Sequence, residues 1–190
     1  IIILAFVTLF IYSNIYHAPF VFDDIIQIED KTKIRDVSRL LSIKQLFAPR
    51  PLVEFTFALN YKFGKFNVFG YHLVNVLIHM INAFLVYFIT LNIGKLLLYP
   101  AKSAKFRGAD VSLMALVSAL IFVTHPIQTQ AVTYTVQRYT SMAALFYFLS
   151  VLFYIKGRCR LQGLNRSAEG IKGQKPESKA NPDKRTKRQK

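Results

Sequence analysis

Two adjacent carboxylates, Asp23 and Asp24, stand inside an apolar stretch, Phe20-Val21-Phe22-Asp23-Asp24-Ile25-Ile26. Ionised groups in such surroundings need water, a cation or hydrogen-bond donors to offset lost hydration. Held in a cleft, one of them could serve as general base toward a hydroxyl, and the pair could bind a divalent cation. The competing reading is a helix N-cap in a loop. His72, Asn75, His79 and Asn82 form a second constellation. Steps of three, four and three put all four on one helix face. Polar groups on an otherwise apolar helix face a protein interior or a wet cavity, or they bond helices together. His72 is the strongest binding candidate, with Asn75 one turn on, whereas Asn82 is expected to be structural. Two histidines seven residues apart are a weak metal signal. The third constellation is the stretch Thr124-His125-Pro126-Ile127-Gln128-Thr129-Gln130-Ala131-Val132-Thr133-Tyr134-Thr135-Val136-Gln137-Arg138. The planar fork of Arg138 suits a phosphate or a carboxylate, or it snorkels to lipid headgroups. Arg50, in Pro49-Arg50-Pro51, is a second candidate anion ligand. No Gly-rich phosphate loop, Gly-x-Ser-x-Gly, His-Glu-x-x-His or Cys/His metal spacing is present, which disfavours a soluble nucleotide enzyme.

The elements that must position these residues are apolar helices. The chain is 53% hydrophobic yet carries a formal net charge of +15, with a mean hydropathy of +0.30. Charge and apolarity are segregated. Long apolar runs fill residues 1–155, and the remainder holds twelve Lys and Arg against Glu169, Glu177 and Asp183. Such a pattern predicts an all-α, polytopic membrane protein with about four crossings, near 1–16, 71–98, 109–124 and 139–156. Residues 17–70 form an external loop, in which Leu40–Phe47 and Pro51–Tyr61 read as amphipathic helices lying in the membrane interface. Pro126 suits the first turn of a helix that continues past Arg138 and turns fully apolar from Met142 to Ile155. Residues 157–190, rich in Lys, Gly and Pro, read as a disordered basic tail.

Lys102, Lys105, Arg107 and the tail supply the positive bias that marks the cytoplasmic side. Residues 17–70 and the turn near 125–138 then fall on the opposite face. Positive charge beside membrane segments argues against nucleic acid as a partner and for membrane lipid. Asn165-Arg166-Ser167 matches an N-glycosylation acceptor, but on the cytoplasmic side it would go unused. The single cysteine, Cys159, rules out a disulfide framework and reads as a free juxtamembrane thiol. With Ile1-Ile2-Ile3 at its start and no initiator Met, the chain is read as a fragment whose first span is incomplete.

Three blocks together resemble a known family: Phe20–Asp24 (FVFDD); Arg50-Pro51-Leu52 through Phe57-Ala58-Leu59-Asn60-Tyr61 to Gly70-Tyr71-His72-Leu73-Val74-Asn75; and His125–Arg138 (HPIQTQAVTYTVQR). They are similar to the N-terminal membrane region of the transmembrane and tetratricopeptide-repeat proteins, with wording like that of the bacterial branch. The resemblance covers residues 1–156 as part of a GT-C type membrane domain. It implies a glycosyltransferase that takes a sugar from a polyprenyl-phosphate carrier and passes it to a protein Ser/Thr hydroxyl or another acceptor. For a bacterial member it implies the inner membrane, and for a eukaryotic one the endoplasmic reticulum membrane. By position, Asp23-Asp24 matches the family's acidic motif, with Asp23 first choice as base. Arg138 would hold the carrier phosphate, helped by His125 or His72. The family fold has more crossings and helical repeats that this chain lacks, so the chain alone is expected to be inactive. Two other readings remain at this stage: a non-catalytic membrane scaffold, and a transporter with an acidic ion site.

Overall fold

The computed structural model describes residues 1–36, 47, 49–98 and 108–173. The expected interfacial helix at Leu40–Phe47 (Phe47 apart), the basic loop with Lys102, Lys105 and Arg107, and residues 174–190 of the tail lie outside them. The described residues form helices and turns with no strand among them. Six helices follow in order: α1 (Ile2–Ile11), α2 (Pro51–Gly64), α3 (Val68–Leu98), α4 (Gly108–Thr124), α5 (Gln128–Thr133) and α6 (Arg138–Gly173). Short helical turns at Ser13–Ile15, Ile25–Glu29, Thr32–Arg35 and Thr135–Gln137 fill the connections. The chain divides into two units, Ile1–Ile155 and Lys156–Lys190, and every candidate site residue belongs to the first.

Two helices are long and apolar enough to cross a membrane, Val68–Leu97 and Thr135–Leu161, with mean hydropathies of 1.9 and 1.4. Only 33% and 22% of their apolar windows are buried within the protein. The core helix of a water-soluble domain would be mostly covered, so this exposed apolar surface suits a lipid surrounding. The other two expected crossings are shorter. At 1.5 Å per residue, α1 is roughly 15 Å long and α4 roughly 25 Å, against a hydrocarbon core of about 30 Å.

The α3 and α4 helices pack antiparallel, the end of α3 beside the start of α4, and α1 lies against both. Close approach is possible because the contact is built on small residues. Ala83, Ala115 and Ala119 are fully buried, and a Cβ on Gly94 would stand 2.5 Å from Val111 Cγ1. At the opposite end of α3, an aromatic and aliphatic core joins the external segment to the bundle. It comprises Phe20, Ile28 and Ile34 from the loop, Val53 and Phe57 from α2, Tyr71 and Ile78 from α3, and Met142 from α6.

Local sequence explains where α2 and α3 begin. Pro51 occupies the first turn of α2, where its missing N–H costs nothing, and Glu54 sits favourably at the positive end of the helix. Asn67 caps α3 by accepting the Phe69 N–H at 3.1 Å. The α2 helix turns Val53, Phe57 and Ala58 into the protein and leaves Leu52 and Phe63 exposed.

Two expectations need correction. The single helix anticipated from Pro126 past Arg138 is broken: α5 ends at Thr133, Tyr134 is extended, and α6 starts afresh at Arg138. Tertiary hydrogen bonds, described below, take up the backbone groups this break releases. The tail anticipated as disordered from residue 157 instead continues α6 as far as Gly173.

Candidate functional site

The break before α6 is where the polar constellations meet. Asp24, 1% exposed, accepts the Val136 N–H at 2.6 Å and the Thr135 N–H at 3.3 Å. A carboxylate thereby caps a helix start more than a hundred residues away, whereas before its own turn, Ile25–Glu29, Asp24 makes no side-chain cap bond. Burial pushes the Asp24 carboxyl above its ordinary range. Hydrogen bonds from the Val136 and Thr135 backbone, a further backbone bond with Val21 and the charge of His72 act against that shift.

From α3, Asn75 Nδ2 donates to the carbonyls of Val132, Tyr134 and Thr135 at 3.1–3.3 Å, on the other side of the break. Its Oδ1 accepts from Arg138 Nε at 2.8 Å. The Arg138 guanidinium, fully buried, also donates to Thr56 Oγ1 at 3.2 Å, Asn60 Oδ1 at 2.8 Å and the Tyr71 carbonyl at 2.9 Å. It stands 4.4 Å from the Phe57 ring centroid. An arginine with these partners and no solvent exposure pins α2 and α3 to the start of α6. His72, 1% exposed, places Nε2 3.0 Å from the Ala18 carbonyl and so anchors the loop that leads into Asp23. Asn82 donates to the Ser141 carbonyl at 3.0 Å, and His79 packs between Tyr12 and Phe122. The whole polar stripe of α3 faces inward.

Asp23 has the opposite environment. It is exposed and lines a polar cleft of about 480 Å³ with Lys31, Arg50, Glu54, Gln137 and Tyr139. Within it Lys31 pairs with Glu54 at 2.8 Å. Arg50 lies over the Tyr139 ring, 5.1 Å from its centroid. A second groove of about 440 Å³ shares Arg50, Tyr139 and Thr140 with this cleft and continues along Leu52, Met142 and Phe146. Two residues flanking the cleft hold left-handed backbone, Phe22 at φ 49° and Arg50 at φ 59°. Arg50 does so before a proline, where extended backbone is the norm. Strain of this kind, of order 1–3 kcal/mol per residue, persists only where the surroundings impose it.

The structure therefore gathers Asp24, His72, Asn75 and Arg138 into a buried network and leaves Asp23 and Arg50 open. His125 joins neither group. It is exposed in the turn between α4 and α5, where its Nδ1 accepts the Ile127 N–H at 3.2 Å. The Asp24 oxygens are buried and hydrogen-bonded to Thr135 and Val136, so of the two carboxylates Asp23 is the one open to the cleft. Among the described residues no three His, Cys, Asp or Glu side chains gather as metal ligands. Sequence reasoning missed Lys31, Glu54, Gln137 and Tyr139 as cleft residues. It also missed Thr56 and Asn60, although their four-residue spacing on α2 would align two polar groups.

Comparison with known proteins gives homologues among the protein O-mannosyl-transferases. Human protein O-mannosyl-transferase TMTC4 is 33% identical over 165 residues, which is 76% of this chain and 21% of that protein. Human TMTC2 is 36% identical over 121 residues, 64% of this chain and 13% of its own length. Drosophila melanogaster Tmtc3 is 28% identical over 167 residues, 76% of this chain and 18% of that protein. The chain thus spans about a fifth of the length of the first of these relatives. No family model and no solved structure matches it.

Proposed function

We propose that this chain is the base-bearing part of a membrane protein O-mannosyl-transferase. It would move a mannosyl group from a polyprenyl-phosphate carrier to a protein Ser or Thr hydroxyl on the non-cytoplasmic face. Homology to proteins of that name supports the reaction class. The observation that carries the residue roles is the contrast between neighbours: Asp23 opens onto a cleft that holds Arg50, while Asp24 is committed to the fold.

In this reading the carrier phosphate lies at Arg50, and its isoprenoid tail runs along the apolar groove toward Phe146. Asp23 removes the proton from the acceptor hydroxyl as that oxygen attacks the anomeric carbon. The bond from that carbon to the phosphate oxygen breaks, and its electron pair leaves with the phosphate, stabilised by Arg50. Arg138, Asn75, His72 and Asp24 hold the frame and touch neither reactant. On the proposed topology of about four crossings the cleft lies outside and the basic segments inside.

Replacing Asp23 by Asn in the full-length protein should lower mannosyl transfer from polyprenyl-phosphate mannose by roughly 10²-fold or more, with normal membrane insertion. Transfer at the wild-type rate would remove Asp23 from the chemistry. It would then favour the scaffold reading, which the closed Arg138 network already suits.

A further inference from the structure

Asp23 belongs to two cavities. Besides the polar cleft with Arg50, it lines a smaller one of about 210 Å³ with Phe22, Gln130, Tyr134, Val136 and Gln137. The two meet at Asp23, Val136 and Gln137 and differ in everything else. One holds Arg50 and the Lys31–Glu54 ion pair and adjoins the apolar groove, whereas the other has no charged side chain except Asp23. We propose that the smaller cavity is the acceptor site, and that it takes a Ser- or Thr-bearing segment of extended peptide. This rests on the reading of Asp23 as base.

A direct displacement brings the acceptor oxygen to the anomeric carbon opposite the departing phosphate. The base must touch that oxygen, so donor and acceptor have to occupy separate spaces that both reach Asp23, as these two cavities do. Beyond Asp23 the smaller cavity's lining side chains are uncharged, so what it offers a ligand besides the base is neutral hydrogen-bonding and apolar groups, as a peptide segment requires. Gln130 is exposed, and each of the two glutamines offers an amide with both a donor and an acceptor, the pairing that a peptide backbone presents. The Gln137 Oε1 already accepts from Thr140 Oγ1 at 2.8 Å, which leaves its amide hydrogens for the ligand. The rings of Phe22 and Tyr134, with centroids 6.5 Å apart and tilted by 37°, give the segment an apolar wall. Left-handed backbone at Phe22 presents its ring there, directly before the base.

The test is steady-state transfer by the full-length protein, from polyprenyl-phosphate mannose to a blocked threonine-rich peptide. Gln130→Ala, at an exposed position, should raise the KM for the peptide by about tenfold while the KM for the donor stays constant. Arg50→Ala should do the reverse. A peptide KM within about twofold of wild type in Gln130→Ala, or an equal rise in both constants, overturns the acceptor assignment and leaves the base assignment standing. Absence of mannosyl transfer by the wild-type protein would instead sink the reading of the reaction, and this site with it.

Discussion

Neighbouring carboxylates have separate fates here because one meets backbone donors and the other meets solvent. Each oxygen of Asp24 takes one N–H at the break before α6. Asn at this position keeps one acceptor but turns an NH2 toward the second N–H, leaving a buried donor without a partner. Asp24→Asn should therefore lower stability by about 1–3 kcal/mol. Asp23→Asn, at an exposed site, should change it by no more than about 0.5 kcal/mol. Thermal unfolding of the two variants in detergent separates these outcomes. Equal effects would mean that Asp24 does not hold the break. The acidic pair itself was legible in the sequence. What the sequence could not supply was the partner of each residue. Arg138 illustrates this, since Thr56, Asn60, Tyr71 and Asn75 reach it from 63 to 82 positions away. Nothing local distinguishes an arginine buried among protein acceptors from one poised for phosphate.

At the scale of elements, the helical phase of His72, Asn75, His79 and Asn82 was readable, and all four are buried. The helix break was not, because Gln128 to Ile155 has no glycine and no proline to announce it. It exists because Asn75 and Asp24 offer the released carbonyls and N–H groups better partners than water would, a tertiary override of local propensity. The α3–α4 contact makes a sharper prediction. An added Cβ at Gly94 meets a short, branched side chain that has no flexible end to move aside. Gly94→Ala should cost about 1–3 kcal/mol through overpacking, despite the better helix propensity of alanine. Val111→Ala opens the same space, so the double variant should recover much of that loss, a coupling measurable as a double-mutant cycle in thermal unfolding. Additive losses would show that the two helices do not meet there.

For the whole molecule, charge segregation is the argument for the proposed facing of the candidate site. The polar network and both cavities gather at the N-terminal end of α3, near His72 and Asn75. Lys95 marks the other end, in the last turn. With a length of roughly 46 Å, α3 is long enough to hold these ends on opposite sides of a hydrocarbon core of about 30 Å. On the proposed topology, in which the basic residues following α3 hold its Lys95 end in the cytoplasm, Asp23 and its cavities should open on the opposite side. Cysteines placed at Phe22 or Lys95, in a Cys159→Ser background, test this with a membrane-impermeant maleimide on sealed vesicles. The Phe22 position should label only from the non-cytoplasmic side and Lys95 only from the cytoplasmic one. Labelling of both from one side would show that α3 does not cross the membrane, and the proposed meeting of carrier and acceptor would lose its geometry.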